Sequence, residues 1–366
     1  MDPRNRELAK VLVNYSTKIQ KGEKVLIECV GFKPAELVEE IVKEVFNAGG
    51  IPFYNIMDEK VNRVLLENGT VDMWKTYCKV ELERMKSMDA YIAVRGQENV
   101  FQNAGISSEK MRIYRKYYVQ PVHIEERVEK KKWVVLRYPG PSFAQSAQMP
   151  DNEFEDFYFK VCTLDYSRLS KAMDSLEKLL TGTKEIRLTG EGTDITICVE
   201  GMRWVKCDGE KNIPDGEIYS APVKNKVNGK ITYNTKALFE GKVYQGIWFE
   251  VKDGKIINEG CETGDNTALK KALDIDEGAR YFGEFAFGVN PYIRKEILDT
   301  LFDEKIYGSN HLTPGNAYQD AFNGNKSALH WDLVAIGLDV YADGKLIRKG
   351  TEFVIDELKA LDAGNF

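Results

Sequence analysis

A two-domain α/β protein is what this sequence predicts. An N-terminal three-layer α/β domain with a mostly parallel sheet spans residues 1–165, and a β-rich mixed α/β domain spans residues 166–366. Three observations predict it. The chain has 366 residues, more than one hydrophobic core usually serves. Roughly the first 160 residues alternate apolar β-forming runs with amphipathic stretches, the grammar of strand–helix–strand units. Beyond about residue 165, Asp-Gly and Asn-Gly pairs separate short extended runs, the strongest local sign of hairpins.

The elements follow in order. Arg4 to Gln20 reads as an amphipathic helix, and KVLIECV (Lys24–Val30) as a buried strand. Pro34 suits a first helical position and opens PAELVEEIVKEVFNAGG, which Gly49 and Gly50 close. IPFYNIM, DAYIAVRG (Asp89–Gly96) and KKWVVLRYP (Lys131–Pro139) are further strands, with helical stretches between them. SRLSKAMDSLEKLLTG is one more helix. Three hairpins are then expected, turning at Asn228-Gly229, Asp253-Gly254 and Asp343-Gly344. GEGTD (Gly190–Asp194) lacks the G-x-G-x-x-G spacing of a dinucleotide loop.

Hydrophobic residues make up 43% and charged residues 30%, as in an ordinary globular protein. The net charge of −6 disfavours nucleic acid and anionic membrane as partners. No apolar run approaches the roughly 20 residues of a membrane span. The N-terminal MDPRNRELAKVLVNYSTKIQ has no apolar signal region. The six cysteines form no CxxC pair, so neither thiolate zinc nor a disulfide framework is expected. A cytoplasmic chain with reduced thiols is the expectation.

Two of the three histidines stand in HLTPGNAYQDAFNGNKSALHWD, His311 to Asp332. His330 and Asp332 are two apart in a stretch rich in β-formers, so on a strand they share a face and Trp331 takes the other. The Pro-Gly turn after His311 can fold it back toward them. His-x-Asp alone is a weak signal, and a lone histidine is more often a surface or satisfied core residue. Divalent metals also need carboxylates. Glu217 follows a Pro-Asp-Gly turn in NIPDGEIYSAP, and Glu284 sits among phenylalanines in YFGEFAFGVNP. A buried Glu284 anion needs a partner, either a metal or a Lys or Arg.

Taken together, NIPDGE, GEFAFGVN, DEKIYGSNH and NKSALHWD, in this order, resemble the thermophilic metallo-aminopeptidase family, the group of aminopeptidases T and S. The resemblance covers most of the chain, including YPGPSFAQSAQMP (Tyr138–Pro150). It implies a C-terminal catalytic domain with Glu217, Glu284, His311, His330 and Asp332 as ligands of two divalent ions. Zinc or cobalt is expected first, with manganese and magnesium as further candidates. It implies removal of the N-terminal residue of peptides by a water activated between the metals. Tyr318 matches a tyrosine near the metals and would donate to the oxyanion, while Glu217 or Glu284 would serve as general base. A homodimer is also implied. One departure is LTPG at Leu312–Gly315, where the family has something closer to LALG; it bears on where Tyr318 falls.

No HExxH helix, G-x-S-x-G elbow or Cys–His pair offers another peptidase chemistry. Two alternatives stay open. One is a two-metal hydrolase of another bond, such as a phosphoester, for which only Lys305 and Lys326 could clamp the phosphate. The other is a noncatalytic peptide- or metal-binding protein of the same fold.

Overall fold

The computed structural model describes residues 2–99 and 101–366. The chain divides into two compact units, Met1–Thr163 with Gly209–Ile213, and Leu164–Asp208 with Pro214–Phe366.

In the first unit five strands pair in parallel, in the order Ile51–Met57, Lys24–Val30, Ala90–Arg95, Lys132–Arg137 and Asn212–Ile213. KVLIECV is buried at six successive positions because it is covered on both faces, as parallel strands are. The second strand lies on one side of the first and the third on the other, so the winding reverses beside Lys24–Val30. Helix Ala35–Asn47 follows Pro34 directly and buries Leu37, Val38, Ile41 and Val45 on one face. Gly49, at φ 78°, ends it in a backbone state that glycine takes without strain. Helix Ser108–Tyr114 continues as wide π turns over Arg115–Val128, with Pro121 inside. A proline there has no N–H to donate and its ring crowds the preceding turn, which accounts for the widening.

The second unit carries an eight-stranded and a five-stranded sheet, both antiparallel. Two of the expected hairpins form: Asp253-Gly254 joins Lys242–Lys252 to Lys255–Gly260, and Asp343-Gly344 joins Asp339–Ala342 to Lys345–Lys349. Asn228-Gly229 does not turn. It lies within the strand Val227–Phe239, which runs on to a turn at Glu240-Gly241. The glycine serves a different need here. At Gly229 φ is +126°, and a Cβ would stand 2.2 Å from the Asp194 carbonyl oxygen on the neighbouring strand. The residue permits a close backbone approach rather than a reversal.

Candidate metal centre

The five-stranded sheet runs in the order Val334–Ile336, Ser309–Pro314, Phe282–Gly288, Glu217–Ser220 and Val205–Cys207. Its register decides the site. Ala286 faces His311 on one neighbour and Tyr219 on the other. Because side chains alternate, Glu284, two residues from Ala286, and Glu217, two from Tyr219, share that face with His311. Phe285, Phe287, Ile218 and Leu312 point the other way into the core, all at 0% exposure. Thus the alternation E-F-A-F in GEFAFG sets one ionisable residue on the polar face and two phenylalanines on the apolar one. Ala286 leaves the middle of the polar face open.

Glu217 begins its strand after Gly216, whose φ of +123° places the backbone against Asn290. Asn290 fastens the turn by donating from Nδ2 to the Asp215 carbonyl at 2.7 Å. His311 Nε2 lies 3.1 Å from Glu284 Oε1 and 3.5 Å from Glu217 Oε2. His330 Nε2 lies 3.5 Å from Glu284 Oε2 and 3.3 Å from Asp332 Oδ1. All five ligand candidates therefore come together, as two groups: Glu217–Glu284–His311 and Glu284–His330–Asp332, with ligand atoms within 4.8 Å of one another in each. Glu284 belongs to both.

His330 and Asp332 converge without a regular strand, contrary to the expected one. His330 makes an isolated bridge to Gly315, and the strand begins only at Val334. The extended backbone still alternates. Trp331 is buried on the opposite side, stacked on Phe239 at 4.3 Å between ring centroids. His330 Nδ1 donates to the Asn316 carbonyl at 2.8 Å, which leaves Nε2 turned toward the two carboxylates. Thr313 Oγ1 donates to Asp332 Oδ1 at 2.7 Å and holds that carboxylate.

The electrostatics fit a cation. Burial alone would depress the His311 pKa; the hydrogen bond to Glu284 and the Glu217 and Glu284 charges outweigh it and raise it to about 9. Burial likewise opposes the His330 proton, but Asp332 beside it raises the pKa to about 10. Desolvation pushes Glu284 above the usual carboxylate range. Three atoms at the centre, Glu217 Oε2, Glu284 Oε2 and His311 Nδ1, are buried without a hydrogen-bond partner among the described residues. Carboxylate oxygens left so are costly, and a divalent ion supplies what the two glutamates lack. The donor set of imidazole nitrogen and carboxylate oxygen suits zinc and its neighbours.

A third group, Cys207–Asp215–Glu217, also has ligand-like spacing. Lys305 already serves it. Its Nζ, 1% exposed as a residue, lies 2.6 Å from Glu217 Oε1 and 3.8 Å from Asp215 Oδ1, and it also pairs with Glu304. Hence the two oxygens of Glu217 differ in surroundings: Oε1 meets an ammonium, and Oε2 faces His311.

Tyr318 stands at the rim, 47% exposed, its ring 4.7 Å from His330 and 5.9 Å from Tyr219 between centroids. Desolvation of the phenol, with Asp332 and Glu284 beyond it, pushes its pKa above the ordinary value. The Pro314 departure leaves it beside the cluster. Pro314 ends its strand, and Gly315 at φ +108° turns the chain out toward Tyr318.

Comparison with known proteins adds an independent line. The model of the family described as thermophilic metalloprotease (M29) matches residues 1–355. The chain belongs to that family. Aminopeptidase PepS of Streptococcus thermophilus is 25% identical over 375 residues, covering 92% of this chain and 90% of its own. Aminopeptidase T of Thermus aquaticus is 31% identical over 193 residues, 45% of this chain and 46% of its own. The structure described as wild-type AmpT from Thermus thermophilus superposes with a TM-score of 0.81 at 20% identity, over 96% of this chain and 99% of that one. A dihydroxypyridine dioxygenase from Pseudomonas putida also shares the fold, with a TM-score of 0.62 at 10% identity over 97% of this chain and 98% of that one. The fold alone therefore does not choose the reaction; residues do.

Reading the motifs by ligand type left out Lys305, Glu304, Thr313 and Asn316. Lys305, in the DEK motif, reads from sequence only as a candidate phosphate clamp. Its ammonium is engaged by Glu217 and almost fully buried, and Lys326 Nζ lies over the Phe322 ring at 5.9 Å. Neither is arranged as a phosphate clamp. Lys305→Met is expected to leave Glu217 Oε1 buried without the ammonium that now meets it. The loss should be roughly 3–5 kcal/mol in metal-free protein and smaller once divalent ion is bound, as read by urea unfolding with and without chelator. Equal losses in both states would contradict the placement of Glu217 between an ammonium and an ion.

Proposed function

We propose that this chain is a metal-dependent aminopeptidase whose C-terminal region, residues 166–366, releases the N-terminal residue of peptides. One observation carries the reading: Glu284 is shared by two carboxylate–imidazole groups on one sheet face, in a member of a metalloprotease family. Glu217, Glu284 and His311 would hold one ion and Glu284, His330 and Asp332 the other. Divalent ions bound there would supply Lewis acidity, lowering the pKa of a shared water and polarising the scissile carbonyl.

The chain's own groups do the rest. Lys305 holds Glu217 in place by donating to Oε1. Proton transfer from water to the leaving amine would fall to Glu217 or Glu284, whichever keeps a carboxylate oxygen free of an ion. Tyr318, its phenol held protonated, donates to the developing oxyanion. Asn316 and Thr313 fix His330 and Asp332. A cavity of about 530 Å³ borders His330, walled by Phe239, Ile275 and Leu329 with Lys242, Asp265 and Lys271, and takes the peptide. A free α-amine of the substrate could ligate one of the ions, which would confine cleavage to the first residue.

The reading extends to zinc or cobalt as the ions, to a homodimer and to the cytoplasm. The six cysteines are free thiols, and no helix among the described residues is long and apolar enough to cross a membrane. Release of the first residue from a free peptide, its absence from the N-acetylated peptide, and its abolition by chelator test the function. A protein that binds peptide but releases nothing in any divalent metal would be the noncatalytic alternative.

A pH dependence follows. Ligation requires neutral imidazole, while His311 and His330 in the metal-free chain keep their protons up to about pH 9 and 10. Ions must displace those protons, so apparent affinity is expected to rise with pH from neutrality and level off above about 10. Calorimetric titration in buffers of different ionisation heat should show proton release on binding; no release at neutral pH would contradict the ligand assignment.

A further inference from the structure

The first unit holds a cavity of about 360 Å³ that the reaction above does not use. It lies within the range of roughly 300–1,000 Å³ typical of small-molecule sites. Glu28 and Val30, Met57, and Arg95 and Gln97 line it from the carboxyl ends of three neighbouring parallel strands, where the winding reverses. Open α/β sheets bind ligands at that place.

The lining has an ionic floor and an aromatic wall. On the floor, Glu28 accepts from the Tyr91 hydroxyl at 2.9 Å and lies 3.7 Å from Arg95 Nη1. Arg127 stacks over Tyr91 and Trp133, at 5.1 and 4.6 Å from the ring centroids, and its Nε and Nη1 are buried without an acceptor among the described residues. Trp74 Nε1, on a residue 3% exposed, is likewise without one. A guanidinium with two buried, unpartnered donors calls for an anionic acceptor such as a carboxylate. Trp74, Tyr77, Tyr114 and Tyr118 form the wall, with ring centroids 4.9–5.7 Å apart. Burial lowers the pKa of His123 to about 4, so it is neutral near pH 7. The remaining lining charges, Glu28, Glu59, Arg95 and Arg127, sum to zero.

We propose that this cavity binds a free amino acid with an apolar or aromatic side chain. Arg127 and Arg95 take the carboxylate, Glu28 takes the ammonium, and the aromatic wall takes the side chain. Zero net charge on the lining matches a zwitterion, whereas a simple anion or cation would leave the filled cavity with a net charge. The ligand belongs to the product class of the proposed peptidase, but the site stands on its own geometry.

The test uses full-length Glu284→Gln protein stripped with chelator, so that the metal centre contributes nothing, and calorimetric titration with L-phenylalanine, N-acetyl-L-phenylalanine and phenethylamine. L-Phenylalanine is expected to bind at one site per chain, with each analogue weaker by at least about tenfold. Arg127→Met, which keeps the stacking volume, is expected to cost at least about tenfold. Asn62→Trp, which fills the cavity from its lining without touching the floor, should do the same and decides the matter if Arg127→Met fails to fold. No binding of L-phenylalanine up to about 10 mM, equal binding of phenethylamine, or binding indifferent to Asn62→Trp would overturn the proposal.

Discussion

Glu284→Gln is expected to remove metal and activity together, with turnover falling below roughly one thousandth of the parent. The substitution keeps the shape but deletes the one charge shared by both ligand groups. Single-ligand losses should be less complete. His330→Ala and Asp332→Ala remove ligands of one group only, so about one ion per chain should remain at Glu217, Glu284 and His311, with activity lost. Folding should survive in Glu284→Gln. In the metal-free chain burial raises the Glu284 pKa while His311 opposes it, so a neutral amide there removes a desolvation cost together with an ion pair and should leave the apo protein folded. Metal analysis, circular dichroism and a peptidase assay on the same preparation check all three statements. Full metal content with near-parental turnover would remove Glu284 from the centre.

Tyr318→Phe is expected to lower kcat by about 10²–10³, the usual cost of one oxyanion donor, with KM nearly unchanged. The ring packs against His330 and Tyr219, and phenylalanine keeps those contacts, so only the hydroxyl is tested. A donor aimed at a charge that exists only in the transition state acts on kcat. Parental turnover in the variant would make Tyr318 a packing residue at the rim of the cluster. A raised KM at constant kcat would make it a substrate contact.

Much of this architecture is legible in the residues because local rules and tertiary environment agree. Lys24–Val30 and Ile51–Met57 fall where apolar runs and flanking Pro34 and Gly49 place them. The Asn228-Gly229 error shows the limit. The same dipeptide that favours a tight turn also permits a strand to press against the Asp194 carbonyl, and only the neighbouring strand decides between them. The candidate ligands were readable as types and motifs. Their juxtaposition was not, since it depends on Ala286 lying opposite both His311 and Tyr219, a matter of register between segments far apart in sequence. His330 and Asp332 share a face as alternation requires, yet on an extended segment outside the regular strand. Lys305 was the least legible. A buried lysine is rare enough that its role appears only when Glu217 is seen beside it.

The most direct measurement is anomalous diffraction from crystals grown with zinc. Two peaks about 3.5–4 Å apart are expected, one touched by Glu217, Glu284 and His311, the other by Glu284, His330 and Asp332. A single peak away from Glu284, or a zinc seated on Cys207 and Asp215 in place of the Lys305 ammonium, would contradict the shared-carboxylate centre.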